Sequence, residues 1–178
     1  MLPKSFIKLI ILILLITMVS CVDMRDPETL NIELNPGVDT VEINTEFNDA
    51  GAKASLEGKS HPVQVIENNV DTSQIGTYEI TYQTTFGDVT LEITRYVDVV
   101  DETPPSVTLN PGIDTVIKDT EWIDAGVDIS DNSGLDVNLE KRGQVSISQI
   151  GEYQITYTAT DSSGNQTTII RFVHVIEE

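Results

Sequence analysis

The chain has 178 residues, of which 39% are hydrophobic and 22% charged, and its formal charge at pH 7 is −19. So acidic a surface argues against nucleic acid, whose binding depends on Lys and Arg neutralising phosphates, and against electrostatic docking on anionic lipid. Cys21 is the only cysteine, which excludes an intramolecular disulfide, so every folded part must be held by its own apolar core.

At the N-terminus, Lys4 and Lys8 form a positive n-region, and Phe6 to Ile16 is apolar apart from Lys8. A membrane helix needs about 20 apolar residues, so this shorter run reads as a secretory signal. It ends in Met18-Val19-Ser20-Cys21, which resembles the bacterial lipobox, with Met18 where Leu is usual. The resemblance implies a lipoprotein signal peptide over residues 1–20, cleavage before Cys21, and a thioether-linked diacylglycerol on Cys21. The expected address is extracytoplasmic, anchored to the bacterial cell membrane by that lipid. Residues 21–29 are polar, carry Pro27 and show no periodicity, as a short tether would.

From Leu30 onwards the chain says most things twice. LNPGVDTVEINTEFNDAGA, from Leu34, returns as LNPGIDTVIKDTEWIDAGV, from Leu109; SQIGTYEITY, from Ser73, returns as SQIGEYQITY, from Ser148. The common offset of about 75 residues is that of tandem domains, placed here at residues 30–101 and 102–178. Pro36-Gly37 and Pro111-Gly112 break the chain after the first strand of each copy. Tyr78, Ile80 and Tyr82 alternate with Glu79, Thr81 and Gln83, and Tyr153, Ile155, Tyr157 and Ala159 repeat the pattern, which predicts half-buried strands. Closing strands are predicted over 89–99 and 167–176. The turns before them differ, Phe86-Gly87-Asp88 in one copy and Asp161-Ser162-Ser163-Gly164-Asn165 in the other, so Arg95 and Arg171 align one residue late.

Short alternating strands without a helical period predict an all-β chain of two tandem antiparallel β-sandwiches. Tyr78 and Tyr153 stand where immunoglobulin-type folds place a tyrosine corner, a structural hydroxyl bonded back to the chain upstream. Phe47 and Trp122 correspond to each other and are expected to fill the core near one end, the alternative being an aromatic exposed for stacking on sugar.

The order Asp101-Glu102-Thr103-Pro104-Pro105, Trp122-Ile123-Asp124-Ala125-Gly126, Gly151-Glu152-Tyr153, Tyr157-Thr158-Ala159-Thr160-Asp161 and Gly164-Asn165 resembles the bacterial immunoglobulin-like domain family of the pesticidal crystal protein type. The second copy follows the family string almost throughout; the first follows it from Leu34 to Tyr82 and lacks the A-x-D…G-N ending. The resemblance implies non-catalytic extracellular modules that serve as spacers, adhesive arms or accessory domains, and it names no partner.

Candidate chemistry is sparse. His61 lies beside Pro62 in an expected loop and His174 in the closing strand facing solvent; neither is duplicated, and no His/Cys cluster suits zinc. No enzyme and no cofactor is expected, with calcium as the one open ligand. Asp128, Asp131, Asn132 and Asp136 in DISDNSGLD offer hard oxygen donors near a Gly-containing loop, while Asp101-Glu102 opens the linker. Ordinary turn chemistry is the alternative, and the first copy carries Leu56-Glu57-Gly58-Lys59 in the corresponding stretch. Thr103-Pro104-Pro105 favours extended backbone and domains set end to end. The expectation is a monomeric, non-catalytic surface lipoprotein acting as a spacer or as an adhesive or interaction module towards an unidentified protein or glycan. The alternatives are a calcium-dependent adhesin, which requires the acidic loop and the linker to converge, and a carbohydrate-binding accessory protein.

Overall fold

A computed structural model describes residues 29–178, so Cys21, the leader over 1–20 and all but the last residue of the expected tether lie outside the described residues. Among the described residues the chain forms thirteen strands and no helix. The first copy contains β1 (Leu30–Leu34), β2 (Thr40–Glu42), β3 (Ala52–Leu56), β4 (Lys59–His61), β5 (Gln64–Asn68), β6 (Gly76–Phe86) and β7 (Val89–Val100). They make a sheet of order β2-β7-β6-β5 and a second of order β1-β3-β4. The second copy contains β8 (Ser106–Leu109), β9 (Thr115–Ile117), β10 (Val127–Ser130), β11 (Asn138–Arg142), β12 (Gly151–Thr160) and β13 (Gln166–Ile176), in sheets β11-β12-β13-β9 and β10-β8.

The tandem sandwich follows the alternation in the sequence. On β6, Ile80 and Tyr82 point inward, and Val97 meets them from β7, where Val99 is also buried; Ile32 and Leu34 of the opposing sheet pack on the same cluster with Phe47. On β12 and β13 the buried set is Ile155, Tyr157, Ala159, Val173 and Val175. Each such large apolar side chain contributes about 1.5–3 kcal/mol when fully buried. Alternation does not encode strand direction, and each copy contains one parallel pair, β2 on β7 and β9 on β13. The Pro-Gly break moves the chain from one sheet to the edge of the other, where it can only run alongside the last strand. His61 ends β4, paired with Ala54, instead of lying in a loop.

The tyrosine hydroxyls bond locally. Tyr78 donates to the Gln74 carbonyl at 2.8 Å and Tyr153 to the Gln149 carbonyl at 2.9 Å, closing the turns that lead into β6 and β12.

Sequence alignment alone did not show what Arg95 and Arg171 do. They are 1% and 2% exposed, each the largest fully buried side chain of its copy. Arg95 donates through Nη1 to Asp39 and through Nη2 to the carbonyls of Asn35 and Gly51, at 2.6 and 3.1 Å. Arg171 repeats this with Asp114 at 2.7 Å, Asn110 at 2.6 Å and Gly126 at 3.2 Å. Nε faces Asp49 at 3.4 Å in one copy and Asp124 at 3.7 Å in the other, and those carboxylates accept the hydroxyls of Tyr82 and Tyr157. The duplicated strings therefore encode one cage twice. Gly51 and Gly126 hold φ near 73° and 72°, a left-handed conformation that other residues resist. A Cβ on Gly37 would lie 2.7 Å from that of Ala50, and one on Gly112 would lie 2.8 Å from that of Ala125, so both positions require glycine.

Arg171→Met is expected to lower stability by about 3–5 kcal/mol, because it strips donors from buried carbonyls and a partner from a carboxylate. Denaturant unfolding would measure this, and Arg171→Lys should recover only part, since an ammonium cannot reach three acceptors in the guanidinium fork. The cage also predicts alkaline sensitivity. Burial, then the bond to the neighbouring aspartate, pushes the Tyr82 and Tyr157 phenols up to about 12. A phenol with a raised folded pKa contributes stability that is intact below about pH 10 and lost as pH rises through about 12. Unfolding midpoints should fall across that window, and less steeply in the Tyr82→Phe/Tyr157→Phe double variant.

Candidate functional site at the domain junction

Short alternating strands leave their chemistry at their ends, and three strand ends meet where the copies join. Asp101 follows β7, Asp131 follows β10 and Asp161 follows β12. One carboxylate oxygen of each lies within 4.8 Å of the other two. Asp101 and Asp161 are each 6% exposed, and Asp131 is half-buried.

Local donors serve part of this charge. Asp161 Oδ1 accepts the amides of Ser163 (2.9 Å) and Asn165 (2.8 Å), and Oδ2 accepts the Asn165 side chain (2.9 Å). Burial pushes the Asp161 carboxyl up, but the Asn165 side chain and these amides outweigh it and hold the group below the usual range. Asp131 Oδ1 accepts the amide and hydroxyl of Ser133. Asp101 Oδ2 accepts the Ser163 hydroxyl at 3.1 Å, and its main-chain carbonyl accepts the Asn165 side chain at 3.0 Å. Asp101 Oδ1 and Asp131 Oδ2 remain buried with no hydrogen-bond partner. Among the described residues, no ion pair involves any of the three. The chemistry open to such a group is the capture of a hard cation; it contains no nucleophile and no base–orienter pair.

Beside it, the first copy grips the second. Glu42, at the end of β2, accepts the amides of Glu102 and Thr103 at 3.0 and 3.2 Å and the Asn132 side chain at 2.9 Å. Bonds from the Thr103 side chain and the Glu102 amide hold the Glu42 carboxyl below its usual range. Asn44, at φ 60°, donates to the carbonyls of Asn132 and Ser133 at 3.0 and 3.2 Å. Pro105, the last residue of the linker, is fully buried.

The set of oxygen donors read from sequence is thus redrawn. Of Asp128, Asp131, Asn132 and Asp136, only Asp131 joins the group. Asn132 faces Glu42; Asp128 is an exposed member of β10; Asp136 is exposed and offers its main-chain carbonyl to Ser162 at 3.1 Å. Closeness along a loop did not translate into closeness in space, because β10 alternates its side chains and the loop turns away after Ser133. Sequence reasoning missed Asp161; the available signal was an Asp closing a strand with Ser two residues later, shared by Asp131 and Asp161.

Elsewhere, the His61 ring meets the Thr85 carbonyl at 3.0 Å and the edge of Phe86, and His174 is half-exposed, 3.8 Å from Glu152. Phe47 packs on the core, but Trp122 stands half-buried at the surface, because its indole N–H requires an acceptor and finds the Ile113 carbonyl at 2.8 Å. Ile113 and Ile123 beside it are each 74% exposed.

The clasp yields a direct expectation. Asn44→Asp keeps a residue that tolerates positive φ and removes the donor to the second copy. Small-angle scattering should show a broader range of interdomain distances, while unfolding free energies shift by no more than about 0.5 kcal/mol.

Two segments, residues 33–99 and 108–175, match the model of the family described as bacterial surface protein, Ig-like domain. The match supports the bacterial immunoglobulin-like reading and does not extend to the pesticidal crystal protein type. No curated protein matches the sequence. Among solved structures, the chain is similar to the lipoprotein BT2262 from Bacteroides thetaiotaomicron, at 16% identity and a TM-score of 0.37 over 80% of this chain and 98% of that one. It is also similar to an endo-fucoidan hydrolase of glycoside hydrolase family 107, at 16% identity and a TM-score of 0.25, over 85% of this chain but only 24% of the enzyme. With two copies of the domain covering most of its length, the chain belongs to the bacterial surface protein Ig-like domain family.

Proposed function

We propose that the protein is a non-catalytic bacterial cell-surface lipoprotein whose two domains form a presenting arm, held to the membrane by lipid on Cys21. The observation that carries this reading is the junction. Glu42, Asn44 and Pro105 make the connection a built interface, which an arm needs in order to hold its second domain at a set orientation. Membership of a surface-protein family and the lipobox-like Met18-Val19-Ser20-Cys21 support the address. The exposed Ile113 and Ile123, beside the half-buried Trp122, favour a second element, an interaction with a protein or glycan through the second domain. Exposed apolar groups clustered on an otherwise acidic surface commonly mark such contacts.

Two measurements test the reading. Metabolic labelling with a fatty acid should tag the full-length protein and fail on Cys21→Ser, which should leave the membrane fraction; unchanged fractionation would defeat the anchor. A glycan and matrix-protein array probed with residues 22–178 should show binding that Trp122→Ala reduces at least tenfold. Silence across the array leaves an arm that acts as a spacer alone.

A further inference from the structure

Three carboxylates gathered without a counter-charge are normally avoided, since like charges repel and a buried charge must be paired or coordinated. The hydrogen bonds around Asp161 and on one oxygen of Asp131 are ordinary turn chemistry. Asp71 makes the same turn with Ser73 (2.9 Å) without belonging to a group of three carboxylates. Turn formation therefore does not explain the convergence. Asp101 is different in kind. It is nine-tenths buried, one of its oxygens has no donor, and it is grouped with Asp131, which also has a buried oxygen without a donor.

We propose that Asp101, Asp131 and Asp161 bind a calcium ion at the junction of the two domains. The donor set is all hard oxygen, with no histidine or cysteine in the group. Ca²⁺ binds oxygens at about 2.3–2.6 Å, so ligands on opposite sides of it stand about 4.6–5.2 Å apart, and three oxygens all within 4.8 Å of one another fit inside that span. Mg²⁺, with bonds of about 2.0–2.1 Å, demands a stricter octahedron and gives up its water reluctantly, so three protein carboxylates suit it less well. The two donor-less oxygens supply ligands directly. Asp161 keeps its amide bonds and still offers lone pairs, since a carboxylate has about four acceptor sites. Water completes the shell.

The consequence is mechanical. Asp101 belongs to the segment between the domains, and Asp131 and Asp161 belong to the second, so the ion pins the linker to that domain. Asn132 and Ser133, next to Asp131, carry the bonds to Glu42 and Asn44. Calcium therefore stiffens the same interface that sets the orientation of the arm. This inference holds whether or not the arm has a partner, and its test is separate from those of lipid and ligand.

The experiment is a melting series on residues 22–178 in chelator, in millimolar CaCl₂ and in millimolar MgCl₂, with calcium titration calorimetry. Calcium should raise the melting temperature by roughly 10 °C at a hundredfold excess over Kd, well beyond any effect of magnesium. Asp101→Asn should abolish the gain and, by removing one of three repelling charges, melt higher than the parent in chelator. Asp131→Asn keeps the acceptor for Ser133 and should also lose the gain, which guards against a folding defect in the first variant. Asp128→Asn and Asp136→Asn should retain it. Absence of a calcium effect, an equal effect of magnesium, or a gain that survives both Asp101→Asn and Asp131→Asn would overturn the proposal.

Discussion

A buried guanidinium is expensive to hold, and each domain is organised around the way it satisfies one. Arg95 and Arg171 are the largest groups fully withdrawn from water, and each must find acceptors for its fork of donors. Those acceptors are a carboxylate and two main-chain carbonyls from the two loops flanking β2 in the first copy and β9 in the second. The carbonyl of Gly51 or Gly126 is presented by a left-handed turn, and the Asn carbonyl by the Pro-Gly break that sends the chain to the other sheet. The arginine therefore specifies which loops come together over the end of the sandwich. Replacing such a cage with apolar groups need not cost net stability. Its value is that few other arrangements of these loops would satisfy it.

With the scaffold held by an element present twice, features present once are free to differ. The first copy has a third strand, β4, in its smaller sheet; the second has none. The second copy has longer acidic turns after β10 and β12, and these face the linker. The junction is polar: carboxylates, amides and hydroxyls meet there, and apolar packing is limited to groups such as Pro105. Polar contacts of this kind depend on geometry and charge more than on buried area.

Much of the fold was legible because period-two alternation is a local property. The closing strands fall within a residue of where the pattern places them, and β6 and β12 contain the alternating tyrosine runs and extend beyond them. Strand direction was not legible: Thr40 to Glu42 reads the same whether paired parallel or antiparallel, and only the position of β7 beside it decides. Trp122 could be aligned with Phe47 but not assigned a depth, since depth depends on where its indole N–H finds an acceptor. The acidic loop was visible, yet its members scatter, with Asp131 facing inward and Asp128 and Asp136 facing solvent.

The amino-acid sequence by itself determined the tandem plan, the all-β character and the division between repeated scaffold and unrepeated turns, because repeats and alternation are written in neighbouring residues. The tertiary structure alone decided what the shared residues converge on and which unshared ones meet. Asn35, Asp39, Gly51 and Arg95 are separated by as many as 60 residues and become one cage. Asp101, Asp131 and Asp161 sit at even spacings of 30 that carry no meaning in a strand or a helix. They become neighbours because β7 of the first domain and β10 and β12 of the second all end at the junction, where backbone pairing stops and side chains must settle the remaining charge.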